Sequence, residues 1–257
     1  MIAALRGGET RLQQLFADDL RAHPGRLTAL DLHMERPETF AEAARLVQAR
    51  FGGKLDALVN NAGYGLFGAL EDLTEPQLRH QMEVNFFGPA LLTRALLPAL
   101  RAARGRVINL SSVAGRHSFH FYTAYNASKF ALEGLSEAMH YELKPFGVQV
   151  GLIEPGGFKT DFAGRSLIVG ETSFSAASPY RARSEALDHF LKTATPRLGD
   201  PSRVARLLVR SIERRRLPVR QPIGTDSHFM MFMGWLVPTR LRMWLVDRVF
   251  RLVVFRD

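Results

Sequence analysis

Tyr125 and Lys129 stand four residues apart in Tyr125-Asn126-Ala127-Ser128-Lys129. On a helix that spacing puts a phenol and an ammonium on one face, one turn apart. Phe130, Ala131, Leu132, Leu135, Ala138 and Met139 recur at helical spacing, so the segment is predicted to be helical. An ammonium beside a phenol favours the phenolate, which would draw Tyr125 down from the ordinary value of about 10. Tyr125 is thereby a candidate general acid or base. Upstream, Arg106-Val-Ile-Asn-Leu110 reads as a buried strand that delivers Ser111 and Ser112 at its C-terminal end. Open α/β sheets hold their ligands at that edge. A hydroxyl there can hold a substrate oxygen while Tyr125 moves the proton. Taken alone, a Tyr-x-x-x-Lys pair is usually a solvated helix face. Lysine is scarce here, five against 29 arginines, so Lys129 is not simply one cation among many.

The surrounding motifs decide between these readings. Asn60-Asn61-Ala62-Gly63 comes first, then Asn85, then Ser112 thirteen residues before Tyr125, then Lys129, Pro155-Gly156 and Thr160. In order and spacing the chain resembles the short-chain dehydrogenase/reductase family. The resemblance implies interconversion of a carbonyl and a secondary alcohol, with the hydride carried by a nicotinamide cofactor. It implies that Tyr125 passes the proton, Ser112 bonds the substrate oxygen, and Lys129 lowers the tyrosine pKa and holds the ribose hydroxyls. Asn85 would help hold a water that relays protons to the lysine. It also implies that Asn60, Ala62 and Gly63 let the backbone approach the cofactor. Pro155, Gly156 and the backbone near Phe158 would lie against the nicotinamide, with Thr160 on its carboxamide.

The elements that must position these groups alternate. Met1–Leu5 reads as a strand, 9–22 as an amphipathic helix, Arg26–Asp31 as a strand, and Pro37–Phe51 as a helix opened by its proline. Lys54–Asn60 is a third strand, and Glu75–Arg104 a long helical stretch bent near Gly88-Pro89. Val148–Glu154 and Pro218–Gln221 read as further strands, with a helix from Asp200-Pro201 to Glu213 between them. Strands alternating with helices of this length predict an α/β fold, a doubly wound parallel sheet of Rossmann type in one domain over 1–257.

Residues 161–198 lose strand character and combine Gly164, Gly170, a serine-rich 173–178 and Phe162, Phe174, Tyr180 and Phe190. That is the profile of a substrate lid, and its apolar content predicts a hydrophobic substrate. Together with Arg6 and the tail, the lid resembles the steroid- and retinol-oxidising branches of the family, which implies a steroid-, retinoid- or lipid-like substrate. The family's Thr-Gly-x-x-x-Gly-x-Gly phosphate turn has no counterpart here. Aligned on the other motifs, Met1 falls near the family's second strand, so about one βα unit is expected to be missing. A protein derived from the family that binds without catalysing is therefore the alternative function. At the end of that strand an arginine accommodates a 2′-phosphate and an acid reads a 2′-hydroxyl. The position holds Arg6 with no acid immediately beside it in sequence, which favours NADP(H), with NAD(H) second. Asp31-Leu32 resembles the family's adenine-contacting pair, although an acid that merely ends a strand reads equally well.

The chain has no cysteine, which excludes disulfides and thiolate metal sites, and its eight histidines lack ligand spacing, so no metal is expected. Neither a secretory signal nor a membrane-length apolar run is visible, so a cytoplasmic location is expected. The charge is uneven. Residues 201–257 carry 12 arginines and four acids, a net +8 of the chain's +9. No stacking motif or basic recognition helix accompanies that charge, so no nucleic-acid partner is expected. The basic region includes a tail over 228–257. On a helical wheel Arg240, Asp247, Arg248 and Arg251 share one face, and Leu241, Leu245, Val246, Val249, Phe250, Leu252 and Val253 the other. A basic amphipathic helix of this kind either covers the substrate pocket or a partner subunit in a homo-oligomer, or touches a membrane surface through 229–255.

Overall fold

A computed structural model describes residues 1–160, 162, 166–194 and 198–255. Runs of four to seven residues form the central strands: β3 (Ala57–Asn60), β5 (Arg106–Leu110), β6 (Gln149–Pro155) and β8 (Arg220–Ile223). They hydrogen-bond in the order β3-β5-β6-β8, all parallel. Alternation along β5 fixes its two faces. Val107 joins a core with Leu92, Leu96 and Leu100 of α4 (Gly88–Ala103) and Met139 and Leu143 of α5 (Thr123–Leu143). Ile108 turns the other way, towards Leu207, Leu208 and Ile212 of α7 (Ser202–Glu213). Helices therefore cover both faces, and the C-terminal strand ends gather at one edge. The predicted doubly wound, Rossmann-like sheet is present.

Two further ladders flank it. β1 (Ile2–Leu5) pairs in parallel with β2 (Thr28–Asp31), joined by α1 (Gly8–Ala22), and among the described residues neither bonds to β3. Side chains make the connection instead, since Ile2, Leu30 and Leu32 share the core that α2 (Phe40–Phe51) and α4 build. The second ladder, β4 (Gly65–Phe67) with β7 (Leu167–Val169), corrects the expectation that 161–198 lacks strands. Three residues are too few for alternation to show in sequence. Within the same stretch Arg181–Ala194 forms α6, while Gly164 lies outside the described residues.

The helix expected over Glu75–Arg104 is three pieces: α3 (Glu75–Met82), a π-helical turn at Glu83–Phe87, and α4. Thr74 opens α3 with a capping box, its hydroxyl accepting from Gln77 N–H. The wider turn ends immediately before Gly88-Pro89 and directs Asn85 inward, where it is almost fully buried.

The tail forms two helices, α8 (Thr225–Leu236) and α9 (Thr239–Phe250), followed by a turn at 251–255. Its sidedness differs from the predicted one. Val246 and Phe250 turn inward, while Leu241, Leu245 and Val249 face out together with Arg240 and Arg248. The inner contact is set by His120, which stacks on Phe250 at 4.6 Å and approaches Asp247 at 3.3 Å. A helix with apolar residues over so much of its circumference cannot bury all of them against one ring.

Candidate active site

The strand β5 ends at Leu110, and Ser111 N–H donates to Ile153 on β6, so the chain leaves the sheet in register. Ser112 is extended, at φ −166°, and its hydroxyl oxygen accepts from Ala114 N–H at 3.1 Å. It also lies close enough to the Tyr125 phenol to favour the phenolate. Burial acts more strongly. Enclosed by Tyr122 and Phe162, whose rings lie 6.0 and 5.3 Å away, Tyr125 is pushed up to about 12.

Lys129 lies one turn further along α5, as the spacing predicts, with its ammonium 5.8 Å from the Tyr125 ring centre. It donates to Leu110 C=O at 2.8 Å. The expected lowering of the tyrosine pKa by this lysine is not what the structure shows. Desolvation dominates both groups: it raises the phenol and brings Lys129 down to about 8, against the opposing charge of Glu133.

Asn85 closes the same space. Its Oδ1 accepts from Tyr64 N–H at 3.0 Å, and its Nδ2 donates to Tyr64 C=O at 2.9 Å and to Ser128 Oγ at 3.1 Å. Both amide hydrogens are thus committed to fixing the Asn-Ala-Gly turn against α5. Gly63 packs between these groups, since a Cβ there would stand 3.1 Å from Asn85 Oδ1 and 3.8 Å from Lys129 Nζ. Asn60 is a fully enclosed strut of the sheet edge, donating to Thr93 Oγ1 at 3.0 Å and Asn109 Oδ1 at 2.7 Å.

A cavity of about 340 Å³ runs from Ala62, Gly63 and Tyr64 to Leu5 and Arg6 at the end of β1. The premise that Arg6 has no acid beside it fails in space, because Glu35, distant in sequence, pairs with it at 3.0 Å. Burial raises the Glu35 carboxyl, but a backbone hydrogen bond and the Arg6 guanidinium together hold it below its ordinary value. Asp31 faces α1: its Oδ1 accepts from Gly7 N–H at 2.9 Å and lies 3.3 Å from His33. Gly7 adopts φ +84°, a left-handed conformation open to glycine, which lets its N–H reach that carboxylate.

At the end of β6, Gly156 N–H donates to Ile223 C=O, and Gly157 N–H to Asp226 Oδ2 at 2.6 Å. A side chain at Gly156 would overlap the Asp226 carboxylate, at 2.1 Å. Pro155 pairs with Ile223 in the ladder, and Phe158 packs its ring into the core with Ile153 and Ile223. Thr160 is exposed, with its hydroxyl oxygen accepting from Phe162 N–H at 3.2 Å.

Two groups of residues escaped sequence reasoning. Gln81, one turn before Asn85, accepts from Leu66 N–H and donates to Tyr64 C=O, so two buried amides four residues apart hold one strand. That i, i+4 amide pair was the available signal. Behind Lys129, Arg220 reaches three carboxylates: Glu133 at 3.2 Å, Glu137 at 3.0 Å and Glu154 at 3.7 Å. Glu133 and Glu154 are buried, and burial with mutual repulsion pushes Glu154 up to about 7. Nothing in their spacing announces the cluster, since three elements supply it.

With a phenol, an ammonium and a hydroxyl converging at the C-terminal edge of a parallel sheet, the sequence profile of the short chain dehydrogenases matches residues 2–167. The chain belongs to the short-chain dehydrogenase family. This short-chain dehydrogenase is 48% identical over 111 residues to 3-ketodihydrosphingosine reductase of Bacteroides thetaiotaomicron, covering 43% of this chain and 41% of that protein. It is 34% identical to bovine retinol dehydrogenase 8 over 77% of this chain and 64% of that one. Both matches span less than two thirds of the relative's length. A short-chain dehydrogenase from Streptomyces avermitilis shares the fold with a TM-score of 0.78 at 34% identity, over 97% of this chain and 88% of that chain.

Proposed function

We propose that the chain is an NADP(H)-dependent oxidoreductase that interconverts a carbonyl and a secondary alcohol on a hydrophobic substrate. The observation that carries this reading is the buried Tyr125 phenol, with the Ser112 hydroxyl favouring its phenolate and the Lys129 ammonium 5.8 Å from its ring centre. The nicotinamide supplies or accepts the hydride. The chain's own residues handle the oxygen and the proton. Ser112 holds the substrate oxygen, and Tyr125 gives its proton to the developing alkoxide. At about 12 the phenol is protonated at neutral pH, the form that can donate to the developing alkoxide. Lys129 at about 8 is mostly charged there and stabilises the phenolate left behind. Asn85 holds the turn against which the cofactor packs and supports the proton path from Lys129.

The residues at hand fit the nicotinamide cofactor in part. Ala62 and Gly63 give a small-residue approach, and Pro155, Gly156, Phe158 and Thr160 form the turn proposed for the nicotinamide end. Arg6 is the group for a 2′-phosphate, because its surface pair with Glu35 is of the kind that contributes little and exchanges readily. The hydrophobic substrate is supported by the cavity of about 470 Å³ beside Leu70, Phe121, Thr123 and Tyr180. Phe121 is held there at φ +59°, a conformation unusual for a residue with a side chain. The names of the two sequence relatives, a ketosphingosine reductase and a retinol dehydrogenase, point to lipid-like substrates. Phe130, Tyr141 and Phe146 stand exposed on and just beyond α5 and suit a homo-oligomer contact.

The test is Tyr125→Phe. Turnover of NADPH with a panel of long-chain ketones should fall by at least ~10³-fold, the scale of lost acid catalysis, while NADPH binding by fluorescence titration stays within a few-fold. Appreciable ketone reduction by the variant would remove Tyr125 from the role. Binding without turnover in the parent would instead favour the non-catalytic reading.

A further inference from the structure

We propose that the α8–α9 hairpin is a docking surface for an anionic lipid bilayer. The inner side of the hairpin is fastened: Gly234 sits over His117, where a Cβ would stand 2.6 Å from the ring, and Val254 is buried beside Phe67 and Leu187. The outer side has no cover. Trp235 is 81% exposed and Trp244 58% exposed. Leu241, Trp244, Leu245, Val249 and Leu252 repeat at helical spacing along one outward stripe. Large apolar side chains gathered on one exposed helix face mark an interaction site rather than ordinary surface.

The charges choose the occupant. Arg240 and Arg248 stand exposed in and beside the stripe and make no ion pair among the described residues. The two acids of the described hairpin are both engaged. Asp226 accepts from Gly157 N–H, and Asp247 binds Arg251 at 2.8 Å and faces His120. The outward face therefore presents tryptophan, aliphatic side chains and unneutralised arginine. Tryptophan and arginine side chains with apolar bodies and polar tips partition to the headgroup level. A second copy is the poorer occupant, because a two-fold contact would set these arginines against their own kind with no carboxylate between them. The helices lie on the surface and do not cross it, since no helix among the described residues is long and apolar enough to span. This docking does not depend on the catalytic reading, and its test reads no turnover.

The experiment is cosedimentation of the full chain with phosphatidylcholine vesicles, with and without a quarter of phosphatidylglycerol, followed also by tryptophan emission. Binding and a blue shift are expected with the anionic vesicles, weakened in 1 M salt as the Debye length contracts. Arg240→Glu with Arg248→Glu should cut the vesicle partition at least roughly 25-fold, at about fivefold for each arginine lost. Trp235→Ser with Trp244→Ser should abolish the blue shift and weaken binding, with the circular dichroism spectrum unchanged because both rings are exposed. Three results overturn the proposal: no partition of the parent chain, partition indifferent to lipid charge and to the arginine pair, or a concentration-dependent dimer that itself buries the tryptophans.

Discussion

In the proposed reading, Arg6 and Glu35 set the choice of cofactor between them. Their ion pair is exposed on the arginine side, and exposed pairs contribute roughly 0–1 kcal/mol. A guanidinium on a phosphate is charge-assisted and often bidentate, worth about 1.5–3 kcal/mol. The phosphate should therefore displace Glu35 from Arg6. Glu35→Gln, which keeps the shape and removes the competing charge, should tighten NADPH a few-fold and leave NADH nearly unchanged. Arg6→Asp should reverse or flatten the preference. Dissociation constants for both dinucleotides in the three proteins check this, and constant ratios throughout would take Arg6 out of the site. Sequence showed the arginine but not its acid, because Glu35 arrives beside it only when β1 and β2 pair.

At the scale of elements, Arg220 on β8 ties α5 to β6 through Glu133 and Glu154, directly behind Lys129. Glu154 is raised in the fold from 4.5 to about 7, so the folded state binds its proton more tightly than the unfolded chain. Its contribution is complete below pH 4.5 and is lost as pH rises through 7. The difference corresponds to roughly 3–4 kcal/mol as an upper bound, at about 1.4 kcal/mol for each pH unit. Glu154→Gln mimics the protonated form and should leave stability near pH 4.5 little changed, while exceeding the parent increasingly up to pH 8. Urea midpoints at the two pH values read this directly, and a parallel pH dependence in both proteins would sink it. The elements divide in the same way between what was legible and what was not. Strand β5, helix α5 and the serines and tyrosine they carry could be read from a short buried run, helical spacing and four-residue separation. The π-turn that directs Asn85 could be read only as a bend near Gly88, because a single extra residue per turn leaves no periodic mark. Ladder β4–β7 was too short to show, and the outward sidedness of α9 depends on His120, more than a hundred residues earlier.

Across the whole molecule, parallel ladders are held by different amounts of covering structure. β5 and β6 lie between neighbours on both edges and between helices on both faces. Among the described residues, the β1–β2 ladder has a partner on one edge of each strand, and it meets the rest through core side chains. Backbone amides should record this as two exchange regimes. Those of Ala3–Leu5 and Leu30–Asp31 should exchange with deuterium on the order of a hundredfold or more faster than those of Ile108 and Leu152, through an opening that leaves the four-stranded sheet closed. Uniform protection across both ladders in a mass-spectrometric time course would refute it. The cavity that runs from Arg6 to Gly63 is bounded on one side by the first regime and on the other by the second. It is a clamp with one compliant jaw, and a ligand that bridges the two should be felt first as a slowing of exchange in residues 2–5 and 28–31, before any change near Tyr125.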